Sequence, residues 1–265
     1  MAMQRRLIGV LGGMGPLATV DFMGKVIAAT AADCDQEHIP MIVHAVPQIP
    51  DRTEAITNGT DGPFPNLLRG LRTLERCGAD LVVVPCNTAH AWFDRLAAST
   101  DVRMLHIAEA VRGHLDGQLQ SEPESIGLLA TSGTIRAGFY QRYLHTEARR
   151  IIVPPPPMQD DISAAISAVK GGYVAQAREL AARAGAALFD VGVTRLLLAC
   201  TELPIAFKGS IMETSCIDAT ACLAAASVAF SIGGDSQLPQ SWLISSNSSE
   251  AMNGLPMAPG LSESG

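Results

Sequence analysis

The sequence predicts an α/β fold made of two similar doubly wound, parallel-sheet domains related by pseudo-two-fold symmetry. Two observations support this prediction. Short apolar runs alternate with helix-length segments along 265 residues, of which 48% are hydrophobic, and segments of the first half recur in the second. Unbroken apolar runs between helices are typical of strands buried on both faces of a parallel sheet.

The clearest apolar runs predict six strands, at residues 7–11, 41–46, 81–85, 125–130, 151–153 and 195–199. Four consecutive prolines at 154–157 predict a rigid, extended connection into a helix that opens near Asp160. Residues 235–265 are rich in Ser, Pro, Gly and Asn, with few apolar side chains. This composition predicts a disordered tail.

The internal repeat places a cysteine at the same point of each half. IGVLGGMG at residues 8–15 resembles IGLLATSG at 126–133, and the predicted strands at 81–85 and 195–199 are followed by Cys86 and Cys200. Two such halves are expected at 1–105 and 106–217, with a C-terminal helix at 218–232 packing back on the first. Because open α/β sheets bind ligands at the carboxyl ends of their strands, we expect the active site in the cleft between the halves.

Composition narrows the class of partner. A formal net charge of −7, with no run of Lys or Arg, argues against binding to nucleic acid or to an anionic membrane. No apolar run reaches membrane-spanning length, and residues 1–6 lead straight into a strand, unlike a signal peptide. We therefore expect a cytoplasmic protein with a small-molecule partner. Its six cysteines should be free thiols, and their spacing predicts no metal site.

The positions of Cys86 and Cys200 suggest acid/base chemistry. Each falls between a buried strand and the next helix, where free backbone N–H groups and the helix dipole favour a thiolate and, with the hydroxyls of Thr88 and Thr201, bind a carboxylate. Inverting a carbon atom beside a carboxylate requires a base on one face and an acid on the other. Two equivalent thiols meet that requirement without a cofactor.

The alternative for any cysteine is a structural role, because free Cys is among the most buried residue types. We adopt that interpretation for Cys34, Cys77, Cys216 and Cys222, which lack the repeat context. His90 lies one helical turn after Cys86 and either tunes its thiol or is an ordinary helix histidine.

Five segments resemble, in order, motifs of the aspartate racemase branch of the Asp/Glu/hydantoin racemase superfamily. They lie at residues 8–19, 47–53, 85–90, 128–134 and 200–202, and the resemblance runs over about residues 5–232. It implies a cofactor-independent racemase of aspartate, and as a second substrate glutamate, that is often a homodimer and uses Cys86 and Cys200 as its two bases. It also implies a substrate-binding set made up of Met14, Gln48, Arg52, Asn87, Thr88, Thr131, Thr134, Lys170 and Thr201.

Within that set, the resemblance assigns separate parts of the substrate. The threonines, Asn87 and the loop at Met14 surround the amino and α-carboxylate groups, whereas Arg52 and Lys170 hold the distal carboxylate. Without the resemblance, Arg52 would be interpreted as a solvated cation, because it lies in a Pro/Asp-rich loop. Lys170 would be interpreted as a cation at a helix C-terminus, because two glycines follow it.

The chain departs from the family pattern in its cleft lining. Val46 stands where relatives often carry Asn, and Ile166 where they carry an aromatic residue, which leaves substrate preference open. The glutamate racemase branch is less similar, since it has an Asp-Ser pair in place of Gly12-Gly13 and a His in place of Glu202.

Other functions remain alternatives. Residues 13–18 fit the G-x-G-x-x-A pattern of dinucleotide-binding dehydrogenases, but Asp33 and Asp35 precede the second strand instead of ending it. A pyridoxal phosphate enzyme would need a lysine in a phosphate-binding context, which none of the three lysines has. Related two-cysteine scaffolds act on other acids as hydantoin racemases, maleate isomerases or arylmalonate decarboxylases. A silent amino-acid-binding protein would need neither thiol.

Overall fold

The computed structural model describes residues 5–118 and 123–233, so the predicted tail at 235–265 lies outside the described residues. Two four-stranded parallel sheets form the framework. The first contains β1 (Ile8–Gly12), β2 (Met41–Ala45), β3 (Leu81–Val83) and β4 (Arg103–Met104), in the order β2-β1-β3-β4. The second contains β5 (Glu124–Ala130), β6 (Arg149–Ile152), β7 (Arg195–Ala199) and β8 (Cys216–Asp218), in the order β6-β5-β7-β8. The same order in both sheets confirms the predicted α/β architecture.

Eleven α-helices of the described chain connect and cover these strands. They are α1 (Pro16–Ala29), α2 (Arg52–Thr57), α3 (Pro63–Arg76), α4 (Phe93–Ala97), α5 (Ile107–Asp116), α6 (Ser132–Ala137), α7 (Phe139–Leu144), α8 (Pro156–Lys170), α9 (Val174–Asp190), α10 (Leu203–Phe207) and α11 (Ala219–Gly233). Over the two described ranges, no helix has both the length and the apolar character needed to cross a membrane.

The hydrophobic core has three parts, one of which joins the two halves. The shared part combines side chains of β1 and β3 with those of β5 and β7, together with α1, α5, α7 and α11. Each sheet also packs its other face against its own helices, α3 and α4 in the first half and α8, α9 and α10 in the second. Because the central part is common, burial of apolar surface holds the halves together.

The predicted C-terminal helix at 218–232 corresponds to α11, which packs on α1 and also on α5. Helix α1 lies in the predicted N-terminal half, 1–105, whereas α5 lies in the predicted C-terminal half, 106–217. The C-terminal helix therefore packs on both predicted halves. The domain boundary at residues 105 and 106 stays a prediction.

The proline run differs from its prediction. Pro156 and Pro157 are the first two residues of α8, and Pro155 is its N-cap. A helix tolerates proline in its first turn, where the missing N–H would have had no partner. The predicted start near Asp160 is therefore wrong by about one turn. The sequence also did not predict β4 and β8, since two or three residues are too few to show an apolar run.

Candidate active site

The loops that follow β1, β3, β5 and β7 converge on one small cavity. Cys86 reaches it from the first sheet and Cys200 from the second. The cavity is lined by Met14, Asp51, Arg52, Thr53, Cys86, Asn87, Thr88, Thr131, Lys170, Cys200, Thr201 and Glu202. The structure thus brings together every predicted site residue except Gln48 and Thr134.

Both thiols are buried where their strands end. Cys86 follows β3 after a short connection and is 5% exposed, and Cys200 follows β7 directly and is 6% exposed. The apolar strands before them are anchored in the core, which fixes the position of each sulfur. The two halves therefore each contribute one thiol to a common cavity.

Three threonine hydroxyls connect the halves beside the cysteines. Thr88 Oγ1 lies 2.9 Å from Thr131 Oγ1 and 3.1 Å from Thr134 Oγ1, and the hydroxyl of Thr131 donates to that of Thr134 at 3.0 Å. Thr131 is also the N-cap of α6, because its Oγ1 accepts a hydrogen bond from the Thr134 N–H. Between them, Gly133 allows close approach, since a Cβ there would lie only 2.8 Å from Thr53 Cα.

Asn87 is held by a tyrosine from the opposite half. The Tyr140 hydroxyl on α7 donates to Asn87 Oδ1 at 2.5 Å, and burial holds the pKa of this phenol well above its usual range. The orientation leaves the buried Asn87 Nδ2 without a hydrogen-bond partner in the described part of the chain. Because Asn87 lines the cavity, this unpartnered amide N–H is available to a carboxylate that binds there.

Two cations border the same cavity. Arg52 opens α2 and donates from one guanidinium nitrogen to the carbonyl oxygens of Ile49 and Pro50, both at 3.1 Å. Its buried Nε has no hydrogen-bond partner among the described residues. Lys170 is the last residue of α8. Neither cation forms an ion pair within the described ranges, so both have capacity to bind an anion.

The surroundings of Cys200 differ from the sequence-based expectation of a thiolate. Its sulfur donates a hydrogen bond to Glu202 Oε2 at 3.0 Å. Burial, followed by the negative charge of Glu202 and this hydrogen bond, raises the pKa of the Cys200 thiol well above its usual value. The expectation is wrong for Cys200 because α10 is only five residues long and its dipole is outweighed by burial and the carboxylate.

His90 has a structural position behind Cys86. Its Nδ1 lies 3.0 Å from the backbone oxygen of Cys86, and its ring stacks on Phe93 and meets the edge of His106. Burial lowers its pKa to about 4, which keeps the imidazole neutral near pH 7. It therefore supplies no positive charge to stabilise a thiolate.

The structure places Gln48 and Thr134 outside the cavity lining. Gln48 is exposed on the turn between β2 and α2, where the next residue, Ile49, is the buried one. Thr134 is fully buried beneath Thr88 and Thr131 and supports their hydroxyls. The substrate contacts predicted for Gln48 and Thr134 stay predictions.

Three lining residues were not among the predicted site residues. Glu202 lies two residues after Cys200, in the segment 200–202 that resembles the family. An acidic side chain so close to a cysteine could have indicated that Glu202 contacts the thiol. Asp51 caps α2 by accepting the Glu54 N–H at 2.8 Å. Thr53 had no distinguishing context in the sequence.

The cavity itself is small, at about 20 Å³, which is room for roughly one water molecule. A groove of about 450 Å³ adjoins it and shares Arg52, Lys170, Thr201 and Glu202 with it. The rest of the groove is mostly apolar or glycine, namely Gly13, Gly15, Pro16, Leu17, Ala18, Pro47, Val169 and Ile205. Any ligand larger than a water molecule would have to widen the inner cavity.

The loop after β1 does not have the acidic partner of a dinucleotide site. β2 ends at Ala45, whereas Asp33 lies in the segment before β2 and Asp35 opens a 3-10 turn there. A ribose-binding acid would stand at the end of the second strand. Among the residues that the structure describes, no group of three or more His, Cys, Asp or Glu side chains is arranged to hold a metal ion.

Comparisons with known proteins identify the family of the chain. The model of the Asp/Glu/Hydantoin racemase family matches residues 11–227. The broad specificity amino-acid racemase RacX of Bacillus subtilis is 27% identical over 228 residues, which cover 84% of this chain and 96% of RacX. The Picrophilus torridus aspartate racemase structure superposes with a TM-score of 0.76 at 31% identity, covering 84% of this chain and 93% of that one.

A more distant structure shares the fold alone. Glutamate racemase from Francisella tularensis, solved with D-glutamate, gives a TM-score of 0.61 at 16% identity and covers 84% of this chain and 79% of that one. The family match extends from β1 into α11 and includes both cysteine loops. The chain belongs to the Asp/Glu/hydantoin racemase family of isomerases.

Proposed function

We propose that the protein is a cofactor-independent amino-acid racemase in which Cys86 and Cys200 act as paired acid and base on aspartate, with glutamate as a second substrate. The single observation that supports this most strongly is that both thiols line one cavity, each from a different half of the molecule. A planar carbanion between two such groups can be protonated from either face.

The proposed reaction is a proton exchange at Cα. The thiolate of one cysteine takes the α-hydrogen, so that the Cα–H bond breaks and an S–H bond forms. The thiol of the other cysteine then donates its proton to the opposite face of Cα. In the reverse direction the two sulfurs exchange roles, and no atom is gained or lost by the enzyme as a whole.

The other lining residues have binding roles in this proposal. The unpartnered Asn87 Nδ2 and the threonine hydroxyls donate to the α-carboxylate, whose negative charge must be stabilised as the carbanion forms. Arg52 and Lys170 bind the distal carboxylate, and the unpartnered Arg52 Nε supports that role. The aspartate racemase of Picrophilus torridus supports an acidic substrate.

A broader substrate range is the second candidate, and the adjoining groove favours it. Its volume of about 450 Å³ and its apolar walls leave room for side chains longer than that of aspartate. RacX, named as a broad specificity racemase, is similar over nearly its whole length. The homodimer and the cytoplasmic location stay predictions.

The experiment is an enantiomer-resolved racemisation assay over D- and L-amino acids, without added cofactor, on the parent and on Cys86→Ser and Cys200→Ser. Serine keeps the shape but has a much less acidic hydrogen, so each variant should lose at least about a thousandfold in racemisation rate. Cys222→Ser, another buried cysteine outside the cavity, is the matched control and should keep its activity.

Two outcomes would count against the proposal. Racemisation by Cys86→Ser/Cys200→Ser at the parent rate would remove the thiols from the mechanism. Activity on neutral amino acids with none on aspartate or glutamate would replace the acidic substrate by the broader class.

A further inference from the structure

The two cysteines differ in what stands two residues after them. After Cys200 this residue is Glu202, whose Oε2 accepts hydrogen bonds from the Cys200 thiol at 3.0 Å and from the Thr201 hydroxyl at 3.1 Å. After Cys86 it is Thr88, whose hydroxyl pairs with other threonines. The site is therefore symmetric in its sulfurs and asymmetric in their partners.

The Glu202 carboxylate is as buried as the thiol it contacts. It is 7% exposed, and its other oxygen points toward the loop after β1, where a Cβ on Gly15 would lie 3.6 Å from Oε1. In a site with so little water, a carboxylate oxygen is a strong acceptor for the S–H proton, and two adjacent negative charges repel each other strongly.

The remaining charged groups around the pair come from two elements, α8 and α2. Lys170 at the end of α8 lowers the pKa of Cys200, in opposition to Glu202, and Arg52 and Asp51 at the start of α2 line the same cavity. Burial raises the pKa of the nearby Tyr140 phenol well above its usual range, so Tyr140 adds no charge. The remaining titratable side chain that lines the cavity is that of Cys86. Among these side chains of the described residues, only that of Glu202 forms a hydrogen bond with the Cys200 sulfur.

We propose that Glu202 is a positioning residue that holds the Cys200 thiol protonated and fixed in direction, so that in the resting enzyme Cys200 is the acid and Cys86 the base. This inference rests on the proposed racemase function. The first substrate to bind loses its α-hydrogen to the Cys86 thiolate, and the proton of the Cys200 S–H bond passes to the opposite face of Cα. Product release leaves Cys86 protonated and a Cys200 thiolate beside Glu202, and exchange with water returns one proton to Cys200 and removes one from Cys86.

The test is the pH dependence of thiol alkylation, which does not depend on turnover. Iodoacetamide reacts with thiolates, and mass spectrometry of the peptides reports each cysteine separately. In the parent, Cys200 should react with a midpoint well above the pH range of an ordinary thiol. Glu202→Gln keeps the size of the side chain and removes the charge, so the Cys200 midpoint should fall by about one pH unit or more. At a pH below the Cys200 midpoints of parent and variant, this fall raises the alkylation rate of Cys200 about tenfold.

Asp51→Asn is the matched control, because it removes the other carboxylate that lines the cavity and keeps an N-capping side chain for α2. It should leave the Cys200 midpoint in place. Thermal unfolding checks that each variant is folded, and Glu202→Asp, whose shorter carboxylate cannot hold the same contact, replaces Glu202→Gln if that variant is unfolded. An unchanged Cys200 midpoint in a folded Glu202 variant, or an equal fall in Asp51→Asn, would overturn the proposal.

The alkylation experiment and the racemase assay test the role of Glu202 and the racemase function independently. A protein that racemises through both cysteines but shows no Glu202-dependent midpoint overturns the role of Glu202 alone. A Glu202-dependent midpoint in a protein that racemises no amino acid overturns the racemase function and leaves the protonated state of Cys200 standing.

Discussion

Tyr140→Phe tests how the second half of the molecule positions the binding groups of the first. Tyr140 is fully buried, and its hydroxyl is the partner of Asn87 Oδ1, on a residue that is only 3% exposed. Removing the hydroxyl leaves a buried acceptor unpaired, which costs about 1–3 kcal/mol of the free energy of unfolding. It also frees the Asn87 amide to turn, and a loss of about 1 kcal/mol in binding the α-carboxylate raises KM roughly fivefold.

The assay combines urea unfolding with racemisation kinetics. Tyr143→Phe is the matched control on the same helix, because its ring stacks on His106 and that stacking survives the change. We expect it to alter the free energy of unfolding by less than about 0.5 kcal/mol and to leave KM unchanged. If Tyr140→Phe is no more destabilising than Tyr143→Phe and has the parent KM, the account of Asn87 is wrong.

Two further predictions follow from the site and from a buried carboxyl outside it. Arg52→Ala should raise KM for aspartate at least about tenfold, and more than KM for a neutral amino acid; equal effects would exclude contact with the distal carboxylate. Burial raises the pKa of Glu109 from 4.5 to about 7, so the folded state holds this proton more tightly than the unfolded chain does. The free energy of unfolding should therefore fall as the pH rises from about 4.5 to about 7, by up to roughly 3 kcal/mol. Glu109→Gln should remove that part of the pH dependence in urea titrations, and an unchanged slope would contradict the shift.

The sequence predicted the fold well where the signal was long enough. Each of the six apolar runs became a strand of a parallel sheet, because strands buried on both faces are apolar throughout. β4 and β8 are sheet-edge strands of two and three residues, and their pairing depends on the neighbouring strand more than on their own composition. The four prolines are compatible with an extended connection and also with the first turn of a helix. Only the observed start of α8 at Pro156 distinguishes the two.

The site was predictable in its positions but not in its contacts. The ends of parallel strands meet at one edge, so the repeat was sufficient to bring Cys86 and Cys200 to one cavity. Whether a side chain points into that cavity depends on the turn that carries it, and for Gln48 the turn buries Ile49 instead. The protonation of Cys200 depends on burial and on the direction of Glu202, neither of which is encoded in local spacing.

The central claim is that two thiols serve opposite faces of Cα, and the isotope content of early product tests it most directly. L-aspartate is incubated in D₂O to a few per cent conversion, and the α-positions of recovered L-aspartate and of new D-aspartate are analysed separately. Because the hydrogen taken by one sulfur stays there while the other sulfur donates a deuteron from solvent, the account predicts fully deuterated product and substrate that retains its α-hydrogen. Equal deuterium in both enantiomers, or product that retains the original hydrogen, would contradict it.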